Sequence, residues 1–272
     1  MPTLQSIQPT RELQPYVRAY AQRMFAATDL IVVELVPAQL EQVINFELGN
    51  MPGVQHREYQ ISSTVWMGGA QTSFAGYMYL SPGVESFAIF FQPAGWSQLF
   101  SIPMREITNC IYDATSVMGS CMRTLWNRLG EQASFEERVA IVERFLLNRA
   151  ACAIAQNRME AAATHLLRQH GAVSVVDLGN RHDLGPRQFE RLFHRETGVS
   201  PKIFARVARF QGALDAKLAN PSRTWLDIAH SFGYYDQMHM IHDFESLSNN
   251  APSRLISQMG DVRPPALVEG LG

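Results

Sequence analysis

S-V-V-D-L-G-N-R-H-D-L-G-P-R-Q-F-E-R-L-F-H-R-E-T-G-V-S-P, residues 174–201, decides the fold, because the chain writes it a second time as T-W-L-D-I-A-H-S-F-G-Y-Y-D-Q-M-H-M-I-H-D-F-E-S-L-S-N-N-A-P, residues 224–252. The copies align at an offset of fifty residues at the start (Asp177 with Asp227, Leu178 with Ile228) and fifty-one after the turn (Phe189 with Met240, Phe193 with Phe244, Pro201 with Pro252). One residue is added in the second turn. Each copy opens on a hydroxyl followed three residues on by an acid (Ser174 and Asp177, Thr224 and Asp227), the pattern that satisfies orphan N–H groups at a helix start and places negative charge at its positive end. The turns L-G-P and G-Y-Y-D carry backbone-permissive residues, and Pro186 suits a first helical position. Gly198 and Asn249 then stand where a left-handed cap ends a helix. The repeat therefore reads as helix, sharp turn, helix, used twice.

Between the copies, P-K-I-F-A-R-V-A-R-F-Q-G-A-L-D-A-K-L-A (residues 201–219) is one uninterrupted helix, begun by Ser200-Pro201 and stopped by Asn220-Pro221. At 1.5 Å per residue it spans about 28 Å, somewhat short of the roughly 34 Å between successive major grooves on one face of B-DNA. Two heads on such a rod could enter neighbouring grooves with some bending of the duplex.

In the first candidate reading helix, Phe189, Leu192 and Phe193 fall on one side, with Arg187, Glu190, Arg191 and His194 opposite. Arginine can hydrogen-bond guanine in bidentate fashion and glutamate can accept from cytosine, while Arg195, Lys202, Arg206 and Arg209 could meet phosphates. On an isolated amphipathic helix such a face would more often be solvated surface. The repeat reverses that preference. In the second helix Met240, Phe244 and Leu247 form the buried side, and Met238, Ile241, His242 and Glu245 hold the outward places. Residues 158–217 contain ten Lys/Arg against six Asp/Glu, whereas 218–260 contain two against four. An unequal pair is expected. The first unit supplies most affinity and specificity, and the second adds apolar contact, as with thymine methyl groups through Met238 or Ile241.

These motifs resemble the AraC/XylS family of bacterial transcription regulators over roughly residues 156–259, with R-Q-F-E-R-L-F-x-x-x-x-G-V-S-P and I-A-x-x-x-G-Y-Y-D-Q both present in order and spacing. The resemblance implies a DNA-binding domain of two helix-turn-helix units joined by a long helix. Arg187, Glu190 and Arg191 would be base-facing in the first unit, and Gln237, Met238, Ile241 and His242 would hold the corresponding places in the second. The chain departs from the family pattern at His242, where Arg is usual, at Glu245 and Ser246, at Asn249 in place of Gly, and at Gly179 and Gly185 in place of Ala and Ser.

The first half differs in character. Apolar runs at residues 30–36, 43–48, 63–67 and 84–91, separated by G-N-M-P-G, Gly68-Gly69 and S-P-G, read as short strands of a curved antiparallel sheet or small barrel. Helical spacing follows at 96–100, 103–109, 116–129 and 135–149, the last capped by Ser134 with Glu137. The expected architecture is an α+β N-terminal domain followed by an all-α domain with two helix-turn-helix units. The expected division is 1–152, 153–260 and a flexible tail at 261–272. F-Q-P-A-G-W-S-Q-L-F (residues 91–100) weakly resembles the β-rich sensor domain of one branch of the family, which implies effector binding or dimerisation. Trp66, Tyr77, Tyr79, Phe87, Phe90 and Trp96 could line a pocket for an apolar or aromatic molecule, though such residues are more often plain core.

Composition narrows the function classes. The chain of 272 residues is 46% hydrophobic and 18% charged, with a formal net charge of −2, so a nucleic-acid site must be local. Three cysteines without C-x-x-C spacing suggest reduced cytosolic thiols, and with no apolar run near the ~20 residues of a membrane span and no signal-like start, a cytoplasmic location is expected. A metal-dependent cupin-like enzyme is disfavoured because His56 is the single histidine before His165. A methyl-accepting repair protein would need a reactive cysteine cluster, and no G-x-S-x-G or P-loop occurs. No metal or cofactor is expected, since His230, His239 and His242 lack partners for a tetrahedral set. Double-stranded DNA is the expected partner. RNA polymerase, a small-molecule effector and a second copy of the chain are further partners compatible with the resemblance. The rival reading is a regulator that acts through protein contacts with weak or no DNA binding.

Overall fold

The computed structural model describes residues 2–56, 62–152 and 158–259. Its strands are β1 (Thr3–Ile7), β2 (Val17–Met24), β3 (Val32–Val36), β4 (Gln42–Glu47), β5 (Gly53–His56), β6 (Val65–Gly68), β7 (Gly76–Leu80), β8 (Glu85–Phe91) and β9 (Ile111–Asp113). They form two antiparallel sheets, one of six strands in the order β1-β2-β8-β4-β6-β9 and one of three in the order β3-β7-β5. Four of these strands fall on the apolar runs read from sequence, where the choice lay between one curved sheet and a small barrel. β2 went unread because both of its faces are buried, which hides the alternation that marks a half-exposed strand. β5 and β9 are too short to show a period.

The six-stranded sheet separates two apolar layers by simple alternation of side chains. Tyr20, Ile44, Phe46, Met67, Phe87 and Ile89 face helices α1 (Gly95–Phe100), α2 (Ala114–Met118), α3 (Ser120–Gly130) and α4 (Phe135–Ala150), where Trp96, Leu125, Val142 and Leu146 complete a core. On the other face Ala21, Val43, Trp66, Ala88 and Phe90 form a thinner layer. Residues 103–109 make only one 3-10 turn, Met104–Glu106, and the helix expected over 116–129 is broken at Gly119, whose φ of +83° no helix tolerates. The capping box of Ser134 and Glu137 is formed. Buried Arg138 ties α4 back to the sheet, donating to Gln22 Oε1 (2.7 Å) and the Glu85 carboxylate.

The second part consists of α5 (Arg158–Arg168), α6 (Val175–Arg181), α7 (Pro186–Thr197), α8 (Pro201–Ala219), α9 (Trp225–Ser231), α10 (Gln237–Ser248) and α11 (Pro252–Gln258). α11, which the sequence reading omitted, begins on Pro252 as α8 begins on Pro201, so the repeat extends one element further than its motif. The core of this part also takes in Leu35, Ala38, Leu40 and Ala70 from the strand-rich part. The expected break at 152/153 adjoins residues outside the described ones, and the expected tail at 261–272 lies wholly outside them.

Candidate nucleic-acid interface and effector cavity

The two helix-turn-helix units share the bonds of their first caps, turns and C-terminal ends. Ser174 and Thr224 accept from the Asp177 and Asp227 N–H groups, capping α6 and α9. In the turns the Leu184 N–H donates to the Gly179 carbonyl and the Tyr234 N–H to that of Ala229. At the far ends the Thr197 hydroxyl bonds the Phe193 and Val199 carbonyls, and the Ser248 hydroxyl bonds those of Phe244 and Asn250. Gly198 and Asn249 take the left-handed conformation that closes α7 and α10. The added residue is Tyr235: the second turn passes from Tyr234 to the cap Asp236, where the first passes directly from Leu184 to Gly185.

The cap differs between the units. Asp236 accepts from the His239 N–H at 2.7 Å, whereas Gly185 occupies the equivalent place with an extended backbone (φ −63°, ψ 151°) and no side chain. The space around Gly185 is open. Gly185→Ser should therefore cap α7 and restrict the unfolded chain, raising stability by about 0.5–1 kcal/mol in urea unfolding.

On α7, Phe189 and Phe193 are fully buried, while Arg187, Glu190, Arg191 and His194 lie exposed along the opposite side. Arg195 is also exposed but ion-paired to Glu196 at 2.6 Å, which offsets its charge. On α10, Gln237, Met238 and His242 are exposed and Ile241 is half-buried. The four basic residues considered for phosphates separate in the structure. Lys202 is exposed, but Arg206 pairs with buried Asp243 of α10 at 2.8 Å, and the Arg209 guanidinium lies over the Tyr234 ring. Arg206 and Arg209 hold the second unit on α8, a role that helix periodicity alone does not reveal. Tyr235, 91% exposed beside Met238 at 57%, is the surface residue the sequence reading passed over. Its mark was the one-residue insertion between the copies.

The strand-rich part grips both candidate reading helices at their C-terminal ends. Ser97 donates to the Glu196 carboxylate, Thr108 to the Gly198 carbonyl at 2.7 Å, and the Ala38 N–H to the Leu247 carbonyl at 2.8 Å. A Cβ on Gly198 would collide with the Thr108 hydroxyl, and the φ there is +88°. α8 is held in turn by Gln211, which accepts from the Leu40 N–H (3.2 Å) and donates to the Glu41 carboxylate (3.0 Å).

Between the sheets and against α8 lies a cavity of about 180 Å³. Trp66 and Phe90 line it from the six-stranded sheet, and Phe210 and Leu214 from α8. Of the other aromatic residues considered for a pocket, Tyr77 borders a second cavity of about 60 Å³, Phe87 and Trp96 belong to the helix-backed core, and Tyr79 donates to Gln55. Polar groups interrupt the apolar lining at Arg23, Glu34, Asn45 and Glu47. Arg23 and Glu34 pair at 3.0 Å. Glu47 Oε1 accepts from Trp66 Nε1 (2.7 Å) and Asn45 Nδ2 (2.6 Å). Burial pushes the Glu47 carboxyl up to about 7, against the lowering effect of the Trp66 bond, Arg23 and Asn45. In the sequence this site shows only as Asn45 and Glu47 at alternate positions of V-I-N-F-E-L.

Residues 178–258 match the family model described as a helix-turn-helix domain. Among solved structures the chain is similar to the apo form of a ToxT point variant from Vibrio cholerae, at 10% identity and a TM-score of 0.50, over 93% of this chain and 100% of that one. It is similar to wild-type Vibrio cholerae ToxT bound to an unsaturated fatty acid at 12% identity and a TM-score of 0.47, over 97% of each chain. The AraC-like transcriptional activator CuxR matches at 14% identity and a TM-score of 0.25, over 77% of this chain and 86% of that one. No curated protein matches in sequence. The fold is thus an antiparallel-sheet domain followed by a helical region of the ToxT kind, and no helix of the described residues is long and apolar enough to cross a membrane.

Proposed function

We propose, for a chain whose residues 178–258 form a helix-turn-helix domain of the AraC type, that it reads a specific DNA sequence to regulate transcription, with α7 as the main base reader. The exposed Arg187, Glu190, Arg191 and His194 on a helix anchored by Phe189 and Phe193 carry this reading. Arg187, Glu190 and Arg191 face base edges, and His194 and Arg195 flank them towards the backbone. α10 makes the lesser contact through Gln237, Met238, Ile241 and His242. The cavity between the sheets and α8 is the effector site: a ligand there touches both the sheets and the rod that spaces the heads. RNA polymerase and a second copy of the chain are the further partners of this reading.

Arg191→Ala tests the assignment. It should cost about 1–3 kcal/mol, roughly 5–150-fold, on a specific operator and almost nothing on random DNA. Equal loss on both would reassign Arg191 to phosphate. The acidic second unit favours the rival reading, a regulator acting through protein contacts, and the salt dependence separates the two. A slope of log affinity against log salt near zero on promoter fragments would defeat DNA reading.

A further inference from the structure

Resting on the reading of the cavity as an effector site, we infer that it takes a small hydrophobic cation, a protonated arylalkylamine or alkylamine, with the Glu47 carboxylate as counter-ion. Among the described lining residues the Arg23 guanidinium and the Glu34 carboxylate pair with each other, and Glu41 and Glu47 are further carboxylates. An incoming anion would therefore face carboxylates with no uncommitted positive charge among the described lining residues. Glu47 is 1% exposed, and while its Oε1 accepts two bonds, its Oε2 has no hydrogen-bond partner among the described residues. A buried acceptor of that kind calls for a donor, and an ammonium supplies donor and charge together. Around it Trp66, Phe90 and Phe210 line the cavity and supply apolar surface for the body of such a ligand.

Without a cation beside it the carboxyl, raised to about 7, is about half protonated at neutral pH and largely protonated at pH 6. Binding of an ammonium sends that proton to solvent and leaves the ion pair. Amine affinity should accordingly fall about tenfold between pH 8 and pH 6.

Calorimetry on the full chain tests this with 4-phenylbutylamine and 5-phenylpentanoate, a cation and an anion of similar length. At pH 8 the amine should bind at least about tenfold tighter than the carboxylate, and Glu47→Gln should remove both that preference and the pH dependence. Preference for the carboxylate, or an amine affinity untouched by Glu47→Gln, would overturn the cation assignment while leaving the cavity an effector site. Ala88→Leu fills the cavity from β8 with the carboxylate intact and should abolish amine binding. Amine binding that survives it would place the ligand elsewhere and overturn the proposal. Binding of neither compound would overturn the effector reading with it.

Discussion

Phe193→Ala should lower stability by about 3–5 kcal/mol, the range for removing a large ring from a packed core. Phe193 is fully buried at the centre of the first helix-turn-helix unit, 5.6 Å from the Phe189 ring and set edge-on to Phe204 at 5.2 Å. These contacts fix the roll of α7 on α8. With the ring gone, Arg187, Glu190 and Arg191 lose the support that points them outward. Urea unfolding checks the energy, and operator binding below the new unfolding midpoint checks the geometry. Loss of specific binding with retained affinity for random DNA is the expected pattern. Phe244→Ala, the equivalent change at the Phe210 and Trp225 rings, should destabilise similarly while costing less specificity, because α10 presents fewer polar groups. Equal loss of specificity in the two variants would reject the unequal pair.

Glu47→Gln should stabilise the protein by about 3 kcal/mol at pH 8 and leave it unchanged near pH 4. The carboxyl titrates near its model value of 4.5 in the unfolded chain and near 7 in the fold. Below pH 4.5 it is protonated in both states and its folded-state stability is fully present. As pH rises towards 7 the unfolded chain releases the proton first, so stability falls, and above 7 the loss is complete. Glutamine keeps an acceptor for Trp66 and Asn45 and has no charge to bury. The measurement is the difference between wild-type and variant unfolding free energies from pH 4 to 8. A flat difference would mean that the carboxyl is solvated in the folded protein.

The helical part was legible because its determinants are local. Caps at Ser174 and Thr224, prolines at 186 and 201, and the left-handed stops at Gly198 and Asn249 each act within a turn of helix, and the repeat displays the caps and stops twice. The strands at 43–48 and 84–91 were readable for a related reason, apolar runs bounded by turn residues. β2 was not, because burial on both faces removes the period that reveals a strand.

By itself, then, the sequence determined the two helix-turn-helix units, the long helix between them and the outward face of α7, all consequences of short-range backbone and side-chain chemistry. Only the tertiary structure decided which charges remain available and where the cavity forms. Arg206 pairs with Asp243, thirty-seven positions along the chain, and Ala38 bonds Leu247 across the two parts. The cavity is walled by β4 and β6 on one side and α8 on the other. Contacts between groups so distant in the chain leave no periodic trace in it, because their geometry exists only once the separate elements have packed together.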